Sequence, residues 1–118
     1  MTLVVLVDDL MFLSRIREAA AGAELTVVRS ASALVEACLG ADAPLVVADL
    51  DSPRLKAEEA IRLLRADPVG HDVPVLGFFS HVHAERAQAA LAAGATRVLA
   101  RSAFVRELPE LLKPAPPA

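Results

Sequence analysis

The chain has 118 residues, 55% of them hydrophobic and only 3% aromatic, with a formal net charge of −3. This length accommodates one domain with one core. Because the net charge is negative, no overall positive potential would attract nucleic acid. The few aromatic side chains argue against a surface on which bases stack. Charges or prolines interrupt every apolar run before the roughly 20 residues that a membrane span needs. The lone Cys38 cannot form an internal disulfide, so we expect a reducing, cytoplasmic location. The apolar run at the start of the chain lacks a basic segment and ends at Asp8, so we expect a core strand there and no signal peptide.

Apolar, β-rich runs alternate with helical patterns five times along the chain. The predicted strands are Thr2–Val7, Leu25–Val28, Leu45–Ala48, Val73–Phe78 and Thr96–Ala100. The predicted helices are Leu10–Ala21, Ala31–Leu39, Arg54–Ala66, Ala84–Ala93 and Phe104–Leu112. Near-continuous apolar strands are typical of a parallel sheet covered on both faces, and five β–α units in succession predict an α/β, doubly wound fold.

The sequence gives specific signals for the start of one helix and for the end of the domain. Ser52 followed by Pro53 predicts the cap and first turn of the third helix. Residues 114–118 are rich in proline and alanine and are predicted to form an exposed tail, which leaves residues 1–113 for the domain.

Polar residues follow the predicted strands at one edge of the sheet. Asp8 and Asp9 follow the first strand, Asp49 the third, Ser80 the fourth and Arg101 the fifth. Ligands of open parallel sheets bind beyond the carboxyl ends of the strands. Three converging carboxylates repel one another, and a hard cation such as Mg²⁺ relieves that repulsion, so we predict a magnesium site here. The alternative is that Asp8 or Asp9 only caps the following helix.

Several of these residues resemble motifs of one known family, the receiver domain of bacterial two-component response regulators. Val7–Asp9 resembles its acidic pair, Asp49 its phospho-acceptor, and Pro53 the proline that opens its next helix. Ala93–Ala95 resembles its turn before the fifth strand, and Arg101 stands where the family has a lysine. The order and spacing of these residues carry the resemblance, which extends from Leu3 to about Leu112.

The resemblance implies a flavodoxin-like sheet of five parallel strands in the order 2-1-3-4-5 with helices on both faces. It further implies that Asp49 accepts a phosphoryl group from a sensor histidine kinase. Asp8, Asp9 and Asp49 would then bind Mg²⁺ weakly, and the chain would be a signalling module of a phosphorelay rather than an enzyme.

The switch residues depart from the family pattern. Phe79 stands where the family has a threonine or serine, and Ser80, one place later, is the candidate substitute hydroxyl. Val98 replaces the aromatic switch residue, and Ser102 replaces a proline. Arg101 keeps the positive charge of the lysine but is a planar fork instead of a compact ammonium group. These departures favour an atypical receiver.

The predicted first helix opens with four consecutive apolar residues, Leu10 to Leu13. They cannot all face one core, because the helical period is 3.6 residues. We expect Met11 and Phe12 near the surface beside the acidic residues, as a partner-binding or homodimer surface. The alternative is that a neighbouring loop covers them.

Two other functions remain possible on the sequence alone. One is a pseudo-receiver that binds a protein partner without phosphorylation. The other is a small nucleotide- or flavin-binding domain, which is disfavoured because the chain has no Gly-rich phosphate loop and few aromatic residues.

Overall fold

A computed structural model describes residues 1–20, 23–80 and 83–111 of the chain. In these residues five parallel strands form one sheet in the predicted order, β2-β1-β3-β4-β5. The strands are β1 (Thr2–Leu6), β2 (Glu24–Val28), β3 (Pro44–Asp49), β4 (Val75–Phe79) and β5 (Arg97–Ala100). The helices are α1 (Leu10–Ala19), α2 (Ala31–Leu39), α3 (Ala57–Ala66), α4 (Ala84–Ala93) and α5 (Arg101–Leu111), and Gly70–Asp72 forms a 3₁₀ turn.

The sheet is buried on both faces, as its apolar strands predict. All five residues of β1 are buried. Val4 and Leu6 belong to one core cluster together with residues of α2, α3 and α4, whereas Leu3 and Val5 belong to a second cluster together with residues of α1 and α5. Successive side chains of a strand point to opposite faces, so one apolar run supplies both cores. Among the described residues, no helix is long and apolar enough to span a membrane.

The start of α3 differs from its prediction. The helix begins at Ala57 rather than Arg54, and Lys56 at its N-cap has a φ of 47° and no side-chain capping bond. Ser52 does not cap the helix, because its hydroxyl donates to a carboxylate oxygen of Asp8 at 3.2 Å. The predicted cap is therefore wrong, and the segment before α3 is held at the edge of the sheet.

Two further elements begin two or three residues from their predicted starts, whereas the described strand boundaries elsewhere differ by one residue at most. The strand β4 begins at Val75 rather than Val73, because the amide of Val73 closes the preceding turn onto the carbonyl of Gly70. The helix α5 begins at Arg101, directly after β5, and not at the predicted Phe104. The predicted helix ends at Ala21 and Leu112, and the predicted tail at 114–118, lie outside the described residues.

The expectation that Met11 and Phe12 are both near the surface is wrong for Phe12. Met11 is 76% exposed, whereas Phe12 is 5% exposed and belongs to the core. The carboxylate of Asp9 caps α1, and Phe12 in the first turn of this helix is buried. Its ring stacks on Phe78 at 4.5 Å and on Phe104 at 5.7 Å between centroids. The exposed apolar pair at this end of α1 is Leu10 and Met11 instead.

This difference between neighbouring residues predicts a difference in stability. Phe12→Ala should lower the free energy of unfolding by about 3–5 kcal/mol, because it leaves a cavity between the stacked rings. Met11→Ala should change it by no more than about 0.5 kcal/mol, because the side chain is exposed. Urea unfolding measures both changes in the free energy of unfolding. The two variants are matched, because both replace a residue of α1 by alanine. Similar losses for both would contradict the assignment of Phe12 to the core and Met11 to the surface.

Candidate functional site

The predicted site residues lie at the carboxyl edge of the sheet. Asp8 and Asp9 follow β1, Asp49 ends β3, Ser80 follows β4 and Arg101 opens α5. Because β1 and β3 are neighbours in the sheet, their acidic residues share one edge. The guanidinium of Arg101 contacts two of these acids, so the structure brings the ends of β1, β3 and β5 together.

Asp9 acts as a helix cap and also faces the site. Its Oδ1 accepts the backbone amides of Met11 at 3.0 Å and Phe12 at 3.1 Å. Its Oδ2 lies 3.7 Å from Nη1 of Arg101. The capping alternative considered from the sequence is therefore realised for one oxygen, while the second oxygen remains directed at the shared edge.

Asp49 is the most enclosed of these acids, with a side chain only 5% exposed. Its Oδ1 accepts the backbone amide of Asp51 at 2.9 Å, and its Oδ2 lies 3.6 Å from Nη2 of Arg101. Burial raises the pKa of the Asp49 carboxyl above its ordinary value, although the Asp51 amide and Arg101 oppose that change. The charges of Asp51 and Asp8 raise this pKa further. An ionised Asp49 is thus costly here and depends on its cationic neighbour.

Asp8 lies at the outer side of the same edge. Its Oδ2 accepts the hydroxyl of Ser52 at 3.2 Å and lies 3.4 Å from Nη2 of Arg54. Arg54 is 85% exposed, so water screens this ion pair strongly. The charge of Asp8 is one of the causes that raise the pKa of Asp49.

Arg101 rests on aromatic rings as well as on the acids. Its Cζ lies 4.9 Å from the ring centroid of Phe12 and 5.3 Å from that of Phe78. A guanidinium over such rings gains about 0.5–2 kcal/mol, and its flat fork can contact two carboxylates at once. The sequence identified Arg101 as a cation at this position, but it did not show that Phe12 and Phe78 support it.

Asp51 and Arg86 join two loops at the site. The Oδ2 of Asp51 accepts the backbone amide of Ser80 at 2.7 Å. Nη1 of Arg86, in α4, donates to the carbonyl oxygens of Leu50 at 3.0 Å and Asp51 at 2.7 Å. The Oδ1 of Asp51 is buried and has no hydrogen-bond partner among the described residues. Sequence reasoning missed Arg86, because no local pattern relates it to a segment 35 residues earlier.

The two candidate switch positions have different surroundings. Phe79 is partly buried and packs against the core cluster that α2, α3 and α4 cover, as does Val98. Ser80 lies in a cleft of about 660 Å³ whose lining also includes Asp9, Met11, Arg101 and Ser102. Ser80 therefore shares the site with Arg101, whereas Phe79 contributes to the core.

The predicted magnesium ligands fit the ion by type, since Mg²⁺ prefers carboxylate oxygens. Their present partners are protein cations: Arg54 beside Asp8, and Arg101 beside Asp9 and Asp49. Within the described ranges, no three acidic, histidine or cysteine side chains are arranged to hold a metal ion together. A bound ion would thus require these side chains to change partners.

The raised pKa of Asp49 predicts a pH-dependent stability difference. The unfolded chain ionises Asp49 near the ordinary value of 3.8, below the pKa in the folded chain. The contribution of this group is therefore complete below about 3.8 and is lost as the pH rises through the folded pKa. Asp49→Asn removes that loss, so the variant should be more stable than the wild type at pH 7, and the difference should shrink toward pH 3.

Urea unfolding of both proteins across this pH range measures that difference. Asp42→Asn, at an exposed acid between α2 and β3, is the matched control and should show no such trend. A stability advantage that grows as the pH falls would contradict the stated direction.

Comparisons with known proteins agree with this fold. No protein-family model matches the chain, and no curated protein matches it by sequence. A response regulator from Hahella chejuensis is 18% identical with a TM-score of 0.80, over 94% of this chain and 91% of that one. A response regulator in red light signalling of R. palustris is 20% identical with a TM-score of 0.74, over 99% of both chains.

A third solved structure holds a metal ion. It is the receiver domain of a sensor histidine kinase from Pseudomonas aeruginosa, with magnesium coordinated in its active site cleft. It is 21% identical with a TM-score of 0.75, over 94% of this chain and 93% of that one. The chain therefore has the fold of a response regulator receiver domain.

Proposed function

We propose that this chain is a signalling module of a two-component phosphorelay, with Asp49 as the residue that accepts the phosphoryl group. The observation that carries the proposal is the position of Asp49 in the receiver fold. Its carboxylate ends β3, and one guanidinium connects it to Asp9 at the end of β1. Carboxylates of aspartate are nucleophiles that can form acyl phosphates.

In this proposal the donor is a phosphohistidine of a sensor histidine kinase. The Oδ2 of Asp49 attacks phosphorus, the N–P bond of the donor breaks, an O–P bond forms, and the released imidazole nitrogen takes up a proton. Arg101 then lies beside the new phosphoryl oxygens, to which a guanidinium can donate two parallel hydrogen bonds. The module transfers a signal in this way and is not an enzyme with a released product.

The proposal includes weak magnesium binding by Asp8, Asp9 and Asp49. When bound, Mg²⁺ supplies positive charge to the incoming phosphoryl group. The magnesium in the Pseudomonas aeruginosa receiver domain supports this part of the proposal by similarity of fold. Its supporting observation in this chain is that Asp8, Asp9 and Asp49 lie at one edge of the sheet, after or at the ends of the neighbouring strands β1 and β3.

The protein partner is proposed to contact the start of α1. Leu10 is 73% exposed and Met11 is 76% exposed, and Met11 lines the cleft that contains Asp9 and Arg101. An exposed apolar pair beside a reactive group suits a partner that must approach Asp49. The same pair would serve a second copy of the chain in a homodimer. The proposed location of the module is the cytoplasm, because the histidine kinase that would donate the phosphoryl group is itself phosphorylated by ATP.

A second function is favoured by the internal cations of the site. Arg101 already neutralises Asp9 and Asp49, and Arg86 already holds the carbonyls next to Asp49. A pseudo-receiver that binds its partner without phosphorylation needs such a site, because its pocket must be stable with no phosphoryl group. The two functions differ in whether Asp49 is ever modified.

Chemical phosphorylation decides between these functions. Incubation with Mg²⁺ and a small donor such as acetyl phosphate should add one phosphoryl group to the wild type, and intact mass should detect it. Asp49→Asn should abolish the gain, whereas Asp42→Asn, at an exposed acid, should retain it. An unmodified wild type would contradict the proposal and favour the pseudo-receiver, whereas modification that persists in Asp49→Asn would contradict the assignment of Asp49 alone.

The atypical residues at the switch positions predict that a phosphoryl group changes the conformation only slightly. Phe79 offers no hydroxyl to a phosphoryl oxygen, and the amide of Ser80 is already bound to Asp51. The loss of one charge-assisted hydrogen bond, about 1.5–3 kcal/mol, weakens any shift toward a second conformation. Beryllofluoride with Mg²⁺ should therefore change hydrogen exchange little in β4, α4 and β5.

Ser80→Ala is the informative variant for this measurement. If the hydroxyl of Ser80 contacts the phosphoryl mimic, the variant should reduce the small response still further. Ser102→Ala, in the same cleft, is the control for removal of a hydroxyl. Widespread protection changes around Val98 and α4 in the wild type would show instead that the switch works fully.

A further inference from the structure

The positive charge at the acidic edge comes from the chain itself. One guanidinium, that of Arg101, lies 3.7 Å from Oδ2 of Asp9 and 3.6 Å from Oδ2 of Asp49. These two oxygens are the ones left over after each Oδ1 has accepted backbone amides. Arg101 therefore faces the oxygens that a metal ion would have to use.

Arg101 is held in this position by more than charge. Its guanidinium lies over the rings of Phe12 and Phe78, which stack on one another in the core. A side chain with a fixed aromatic support loses less freedom when it pairs with acids than an unsupported one. The side chain is 37% exposed, so it can still leave the acids for solvent.

Arg86 reinforces the same arrangement from the other side. Its Nη1 donates to the carbonyl oxygens of Leu50 and Asp51, the two residues after Asp49. Backbone oxygens close to Asp49 are thereby engaged by a second arginine. Both the carboxylate oxygens and these carbonyl oxygens have cationic partners within the chain.

We propose that Arg101 is a resident counter-ion that competes with a divalent cation for Asp9 and Asp49. Mg²⁺ then enters the site only when the guanidinium leaves these carboxylates. This inference rests on the proposed function and specifies how its metal site is regulated. A solute that reaches the site through the cleft meets the half-exposed Arg101 before the enclosed Asp49.

Geometry and charge both oppose simultaneous occupancy. Magnesium holds its oxygens at about 2.0–2.1 Å in a nearly octahedral shell. The same Oδ2 atoms already lie against a cation, and two cations on one pair of oxygens repel each other. Displacement of Arg101 from its rings and acids therefore subtracts from the affinity for the metal.

Magnesium titration of three proteins tests the competition. Arg101→Gln removes the counter-ion, and its affinity for Mg²⁺, followed by amide chemical shifts of Asp9 and Asp49, should rise roughly tenfold or more. Arg15→Gln removes the same charge from the lining of the same cleft and should change the affinity by less than about threefold, since exposed charges are screened. An affinity of Arg101→Gln equal to that of the wild type would overturn the proposal.

Arg101→Lys provides a second test that does not depend on the glutamine variant being folded. Lysine keeps the charge but lacks the planar fork that reaches both acids from the rings. Its magnesium affinity should exceed that of the wild type by a smaller factor than glutamine gives. Thermal shifts give an independent readout, because a ligand of the folded state raises Tm according to its affinity. Equal magnesium-induced shifts in the wild type and Arg101→Lys would also overturn the proposal.

The outcome is separate from that of the proposed function. Modification of Asp49 by acetyl phosphate tests the function, whereas the ratio of magnesium affinities tests the counter-ion. If Asp49 is modified but Arg101→Gln binds Mg²⁺ no better, the counter-ion proposal alone fails. If Arg101→Gln binds Mg²⁺ more tightly and Asp49 is never modified, the phosphorylation proposal alone fails.

Discussion

The carboxylate of Asp49, enclosed at the end of β3, is the constraint on which the arrangement of this site depends. A buried negative charge is unfavourable unless hydrogen bonds and an opposite charge accompany it. The amide of Asp51 supplies the hydrogen bond, and Arg101 supplies the charge. Because Arg101 opens α5, this ion pair joins the end of β3 to the start of the last helix.

The aromatic cluster carries this constraint into the core. Phe12, Phe78 and Phe104 come from α1, β4 and α5, and their rings stack together. Two of them lie beneath the guanidinium of Arg101. The chain contains only four aromatic residues, and three of them are used at this one junction between helices, sheet and site. The chain is therefore poor in aromatic residues, but most of those it has pack together at one place.

The alternation of strands and helices predicted a parallel sheet and the edge at which the acids meet, and the resemblance to receiver domains predicted the strand order. Sequence reasoning failed for Phe12, because four apolar residues in a row define how many face the core but not which. The inward position of Phe12 goes with its ring contacts to Phe78 and Phe104, which are distant in the sequence. Sequence reasoning also failed for the start of α3, where Ser52 binds Asp8, 44 residues away. Pairings over such distances leave no periodic signal in the chain.

The stacking of Arg101 on Phe12 and Phe78 has a consequence for how this sequence can vary. A residue of the hydrophobic core and a charged residue of the site share one contact, so their substitutions are not energetically additive. An aliphatic residue at position 12 preserves much of the buried volume but removes the flat surface that orients the guanidinium. Whether lysine is tolerated at position 101 therefore depends on the residues at positions 12 and 78. The orientation of the charged group at the site is set in part by the packing of the core beneath it.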